Sequence, residues 1–331
     1  MKNKYRNWFM LSGILAVVLM VCTMRMDYSE IGRSLLRAGI WFPAVLLLWL
    51  FVYLLNACSW YLIINDGKKY PIPFWKVYKL SVSGFALNYT TPCGLMGGEP
   101  YRIMELAPYT GVSKASSSVI LYVMMHIFSH IWFWFLSIFL YIFMYPVSLS
   151  MALLLAVVGA CCLLAVFFFL KGYRAGMMLK ALGLLKKVPF LRKRASGFLE
   201  SKRETLVRID EQIALLHGQH KKTFYSSLVL EFMARLLSSL EIYFVLRAFS
   251  AEVSVGDAVL ILAFSSLFSN LIFFSPMQLG AREGGLALAV GGLHLSGALG
   301  VYTGLITRVR ELVWIAIGIV LIKIGNSKQN T

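Results

Sequence analysis

The sequence predicts an all-α polytopic membrane protein with about six transmembrane helices, plus two re-entrant broken-helix hairpins related as an inverted repeat. Three observations carry this reading. Of 331 residues, 59% are hydrophobic and only 14% are charged, and the mean hydropathy is +0.73; a soluble domain carries roughly 25% charged residues. The apolar residues run in continuous blocks that meet the roughly 20 helical residues a bilayer demands. Continuity, as opposed to alternation, excludes a β-barrel. Finally, two polar interruptions share one build: in "PCGLMGGEPYR" (92–102) and "PMQLGARE" (276–283), Pro92, Leu95 and Glu99 recur as Pro276, Leu279 and Glu283, at a constant offset of 184 positions.

Six blocks read as full spans, at about 8–24, 40–64, 115–145, 148–170, 223–249 and 297–323. The first resembles a signal peptide, but no small-x-small cleavage site follows it, so it is read as a helix. Lys2, Lys4 and Arg6 place the N-terminus in the cytoplasm by the positive-inside rule. Alternation then puts 25–39 outside, where Arg25, Arg33 and Arg37 blunt the bias, and Lys68, Lys69, Lys76 and Lys79 inside. The turn near Pro146 and the acidic 251–257 fall outside, and the 171–222 loop and the C-terminus inside.

Residues 80–98 and 258–293 are apolar but broken near the middle by Pro and Gly. A single extra crossing at either would flip the basic loop, so each reads as a hairpin that opens and closes on one side. The first (about 80–100) then opens from the cytoplasm and the second (about 258–293) from outside, within a single transmembrane domain over 1–331. Helix breaks expose backbone amides that lipid cannot satisfy, so they belong in protein or beside a wet cavity. Free amides at helix N-termini also attract anions.

Between 171 and 222 lie thirteen Lys/Arg against four acids, a net +9. With no nucleic-acid motif beside it, this charge fits a cytoplasmic surface segment of one or two amphipathic helices on anionic lipid. The five cysteines show no ligand or disulfide spacing and read as small apolar fillers. His126 and His130, four apart, face one cavity, but no third ligand or HExxH motif accompanies them. No metal or other cofactor is expected.

Ionisable residues within a bilayer cost about 2.5–3.5 kcal/mol each and tend to be paired or functional. Here they cluster. Glu99, Arg102 and Glu105 share a helical face after the first break, and Arg282 and Glu283 follow the second. Glu231 and Arg235 are four apart, Arg308 and Glu311 three apart with Arg310 turned elsewhere, and Glu241 lies further along the fifth span. Either structural pairing or substrate contact accounts for the pairs in the long spans. Arginine suits phosphate because its planar fork bonds two oxygens. Asn88 and Asn270 precede the two prolines, where they cap the breaks or meet a headgroup. The candidate substrate-binding set is therefore Asn88, Pro92, Gly98, Glu99, Arg102, Glu231, Arg235, Asn270, Pro276, Arg282, Glu283, Arg308 and Glu311.

"NYTTPCGLMGGEPYR" (88–102) and "SPMQLGAREGGLAL" (275–288) resemble the paired signatures of the lysylphosphatidylglycerol synthase transmembrane-domain family, also called flippase-like proteins. Cys93 stands where the family has Gly, and Met277-Gln278 where it has Gly-Gly. The resemblance assigns the family's charged motif positions to Glu99, Arg102, Arg282 and Glu283. It implies translocation of an anionic or zwitterionic lipid, such as aminoacyl-phosphatidylglycerol, across the bacterial inner membrane. With the sequence ending at Thr331, no synthase activity is expected, and with no GxxxxGK[ST] loop, no direct ATP coupling. The alternatives are a translocase for a polyprenyl-phosphate-linked carrier, an intramembrane lipid-modifying transferase, and an assembly partner; homo-oligomerisation stays open.

Overall fold

The computed structural model describes residues 36–90, 97–174, 220–249, 251–272, 280–293 and 295–324, with residues 11, 32, 33, 207 and 211 besides. Apart from residue 11, the expected span at 8–24 lies outside the described residues, as do both motif prolines and most of the basic segment. Helices account for nearly all the rest: α1 (Trp41–Ile64), α2 (Phe74–Thr90), α3 (Gly98–Thr110), α4 (Val112–Met144), α5 (Leu149–Arg174), α6 (Lys221–Ala248), α7 (Val255–Leu271), α8 (Ala281–Gly292) and α9 (Gly297–Ile324). Among the described residues there is no strand.

The chain is a multi-pass helical membrane protein. By length and composition α1, α4 and Leu149–Lys171 of α5 suffice to cross a bilayer. α5 leaves Leu149, Leu153, Leu154, Val157, Phe167 and Phe168 exposed, an apolar face that water would penalise and lipid tails accept. α6 and α9 are equally long, at 28 residues each, but carry Glu231, Arg235 and Glu241, or Arg308, Arg310 and Glu311, in mid-helix. Those charges are buried or nearly so, so these two helices depend on one another and on their neighbours.

Local chemistry sets several boundaries. α1 ends where Asn65, Gly67 (φ 73) and two prolines follow, and the Asn65 carboxamide accepts from the Tyr70 amide at 2.9 Å to shape the turn. α7 starts with a capping box: Ser254 Oγ accepts from the Asp257 amide at 3.1 Å, and Asp257 Oδ2 accepts from the Ser254 amide at 2.8 Å. Tyr145 donates to Asp257 Oδ1 at 2.6 Å, tying the end of α4 to the start of α7.

Contacts along each helix give its direction. Trp49 meets Glu241 and Ser59 meets the Ser227 carbonyl, so α1 and α6 are antiparallel. His220 pairs with Asp66 at 3.2 Å and Lys114 donates to the Asp66 carbonyl, which gathers the 65–73 turn and the starts of α4 and α6 at one end of the bundle. At the opposite end the termini of α4 and α7 meet. α2 and α3 form an antiparallel pair, with Asn88 beside Gly98 and Lys76 beside Glu105. α7 and α8 form another, with Ser265 against Gly285 and Ala258 clustered with Val290. The first pair opens at the end where α4 and α6 begin, and the second at the end where α4 finishes. Both lean on α9: Gly318 lies against Ala86, and Gly300 against Ala287.

Candidate functional site

The first motif builds a backbone-close helix pair around one arginine. A Cβ on Gly98 would collide with the Gly84 carbonyl, and one on Gly84 with the Arg102 side chain. The absence of side chains at these two positions lets α2 and α3 touch and leaves Arg102 a bed to lie on. Arg102 is 4% exposed. Its Nη2 donates to the Ser81 carbonyl at 3.2 Å and its Nε to the Leu80 carbonyl at 3.5 Å. The guanidinium also sits over the Trp60 and Tyr122 rings, 5.7 and 5.2 Å from their centroids, and 3.5 Å from Glu99. Asn88 joins the two helices: its carbonyl oxygen accepts from the Gly98 amide at 2.6 Å and its Nδ2 donates to Glu99 Oε1 at 2.8 Å. It thus satisfies one of the free amides that open α3, from across the helix break. Glu105, expected on one helical face with Glu99 and Arg102, pairs with Lys76 at 3.5 Å, because the antiparallel α2 brings a lysine to that turn.

The second motif feeds a larger network. Glu283 Oε2 accepts from the Gly280 amide at 2.9 Å, capping α8, while its Oε1 accepts from Arg308 Nε at 2.8 Å. Arg308 Nη1 reaches Glu311 at 3.1 Å. Arg282 pairs with the other Glu311 oxygen. Arg310, on another face of α9, forms a bidentate pair with Glu241 at 2.8 and 2.9 Å, and Trp49 caps it, both as a donor to Glu241 at 2.9 Å and as a ring 3.7 Å from the guanidinium. Three arginines face three glutamates, so the network is neutral. Its depth is graded: the Arg308, Arg310 and Glu311 side chains are 0–2% exposed, whereas Arg282 and Glu283 are 19% and 22% exposed. The inner members hold α9 in place, and the outer two form a lip.

A third cluster joins α4 and α6. Glu231 and Arg235, which the sequence places on one helical face, do not bond directly. His126 stands between them: its Nδ1 lies 2.8 Å from Glu231 Oε2, and its Nε2 lies 3.1 Å from Arg235 Nη2. The same Nη2 lies 3.1 Å from His130 Nδ1. Among the described residues Arg235 has no carboxylate within ion-pair distance, and its Nε is buried without a partner, as is Glu231 Oε1.

Tyr122 links the first cluster to the third: Arg102 lies 5.2 Å from its ring centroid and the His126 ring 6.4 Å from it. Each cluster presents at least one accessible group: Glu99 (23% exposed), His126 (41%), and Arg282 with Glu283.

Of the residues singled out from sequence, Asn88, Gly98, Glu99 and Arg102 come together at the first pair, and Arg282, Glu283, Arg308 and Glu311 at the second. Glu231 and Arg235 join a third group that also needs His126. Asn270 stands apart: it is exposed and donates to the Ser266 carbonyl of its own helix at 2.7 Å. Pro92 and Pro276 lie outside the described residues. Glu241, Trp49 and Tyr89 were not in the sequence-derived set; the intrabilayer charge of Glu241 was its one signal. Among the described residues no group of three or more His, Cys, Asp or Glu is arranged to hold a metal.

The family model described as the lysylphosphatidylglycerol synthase TM region matches residues 9–318. No curated protein and no solved structure matches the chain.

Proposed function

The chain belongs to the lysylphosphatidylglycerol synthase transmembrane-region family, and from that membership we propose that it is a lipid flippase of the bacterial inner membrane. Its substrate is a lipid with a phosphate headgroup, anionic or zwitterionic; aminoacyl-phosphatidylglycerol fits that description. The two helix pairs act as re-entrant hairpins of an inverted repeat, opening from the cytoplasm and from outside.

The observation that carries this reading is the graded charge of the interior. A purely structural network would bury all its members, since a half-wet ion pair stabilises by only about 0–1 kcal/mol. Here Arg282, Glu283, Glu99 and His126 stay accessible while their supports are sealed. Arg282 is the phosphate contact: its guanidinium is held in orientation by Glu311 yet remains partly open. Glu283, bonded through both oxygens to the Gly280 amide and Arg308, and Glu99, bonded through Oε1 to Asn88 with Oε2 buried and unpartnered, supply negative charge to an amine on a zwitterionic headgroup. Arg102 serves differently from Arg282. It is committed to two main-chain carbonyls and two aromatic faces, so it positions Glu99 and holds the first hairpin closed. The basic 171–222 segment draws the protein's inner face to anionic lipid.

The test is translocation of a fluorescent phosphatidylglycerol by the purified chain in vesicles. Arg282→Gln keeps a hydrogen bond to Glu311 but removes the charge, so transport falls at least about tenfold, equivalent to losing about 1.4 kcal/mol of headgroup interaction, while the protein stays folded. Wild-type rates in that variant would remove Arg282 from the path.

A further inference from the structure

The Glu231–His126–Arg235 cluster carries an inference that rests on the transport reading and deepens it. We propose that this cluster is a second phosphate subsite whose occupation is linked to uptake of one proton by His126.

Valence at the imidazole comes first. A ring nitrogen 2.8 Å from a carboxylate oxygen carries the hydrogen, and one 3.1 Å from a guanidinium nitrogen offers its lone pair. The ring is therefore the neutral Nδ1–H tautomer. It relays between a buried anion and a cation that have no direct contact. His130 is the second lone pair on Arg235, at 3.1 Å, unless it donates instead to the His126 carbonyl, also at 3.1 Å. The two roles exclude each other at one nitrogen.

Protonation of Nε2 turns an acceptor into a donor. The Arg235–His126 bond is lost, two cations face one another, and Arg235 is freed. As drawn, Glu231 and Arg235 sum to zero. A proton alone leaves the cluster at +1 and a phosphate diester alone at −1, and either state is disfavoured where dielectric is low. Both together restore neutrality, with the phosphate on Arg235 and His126 and the imidazolium still donating to Glu231. Proton and phosphate therefore favour each other reciprocally. His126, 41% exposed beside a carboxylate 1% exposed, is the member a proton can reach.

The surrounding charges leave the balance intact. From α3, Arg102 lies 5.2 Å from the Tyr122 ring centroid, and its charge and that of Glu99, 3.5 Å away, offset one another. α2 contributes Tyr89, and α4 itself Tyr122 and His130. α7 approaches through Ser266, bonded to Trp134. α1 lays the uncharged Trp60 on Tyr122, and α5 meets α4 through Phe169 on Phe128. Arg235 differs from Arg282, Arg308 and Arg310 in this respect: each of those already has a carboxylate, whereas Arg235 has imidazole nitrogens beside it that a phosphate can displace.

Isothermal titration of the detergent-solubilised chain tests the linkage. Dihexanoyl phosphatidylglycerol is titrated in two buffers of different ionisation heat, and dimethyl phosphate serves as the headgroup without chains. Wild-type protein should take up most of a proton per lipid bound, with affinity weakening by up to about tenfold per unit rise in pH. His126→Gln keeps both contacts, since its amide N–H donates to Glu231 and its carbonyl accepts from Arg235, but it cannot take the proton. Its binding should show neither uptake nor pH dependence. Uptake with dimethyl phosphate too would mark phosphate alone as the ligand, and uptake with the lipid only a lipid-borne phosphate; either supports the linkage. Wild-type binding without uptake, or unchanged uptake in His126→Gln, overturns it. A chain that moves no lipid yet takes up the proton on binding would sink the transport reading and leave this one standing.

Discussion

Glu311 shows how single residues decide this interior. One carboxylate 2% exposed contacts Arg282, Arg308 and Arg310, so its loss leaves Arg282 without a carboxylate while Arg308 keeps Glu283 and Arg310 keeps Glu241. Breaking a buried pair costs about 3–5 kcal/mol because the partner's charge is left uncompensated. Glu311→Gln should destabilise the detergent-solubilised protein by that amount, read as a lowered midpoint of thermal unfolding, and Glu283→Gln by less, since Glu283 is partly wet. Equal midpoints for the two would contradict the graded network. The same residues show what a sequence holds and what it withholds. Arg308–Glu311 was legible because three residues is less than one helical turn. Arg310–Glu241 was not, because 69 positions separate partners that only tertiary packing joins. Spacing put Glu231 and Arg235 on one face, yet nothing in that spacing reveals a histidine from another helix wedged between them.

At the level of elements, close approach of helices depends on missing side chains. The Cβ of an alanine at Gly300 would meet the Ala287 Cα at 2.6 Å and the Leu286 carbonyl at 2.6 Å. Backbone cannot yield as a flexible side chain can, so α8 and α9 must part. Gly300→Ala should cost about 1–3 kcal/mol and loosen the Arg282–Glu311 and Glu283–Arg308 pairs, giving a lowered unfolding midpoint together with weakened transport. A change in neither would mean that α8 does not lie this close. Helix extents were well foreshadowed: the expected 40–64, 223–249 and 297–323 lie within two residues of α1, α6 and α9, because uninterrupted apolar length is a local property. The breaks after α2 and α7 were legible from their glycines and prolines. Which glycines serve packing was not, since Gly84, Gly300 and Gly318 look alike until their neighbours are placed.

Over the whole molecule, the central claim is directional. The contacts place the openings of the α2–α3 and α7–α8 pairs at opposite ends of the bundle, and the proposed transport relies on that arrangement for access from two faces. Matching spacing of Pro92, Leu95 and Glu99 with Pro276, Leu279 and Glu283 hinted at two related units, while their relative direction depended on counting spans between them, which any misjudged segment would invert. Four exposed positions flank the pairs: Lys69 and Val112 around α2–α3, and Glu252 and Ser296 around α7–α8. Single cysteines at these sites, in a chain whose native cysteines are replaced, can be probed in oriented membrane vesicles with an impermeant thiol reagent. Positions 69 and 112 should label from the cytoplasmic face alone, and 252 and 296 from the opposite face alone. Labelling of 69 and 112 from different faces, or of all four from the same face, would contradict the account.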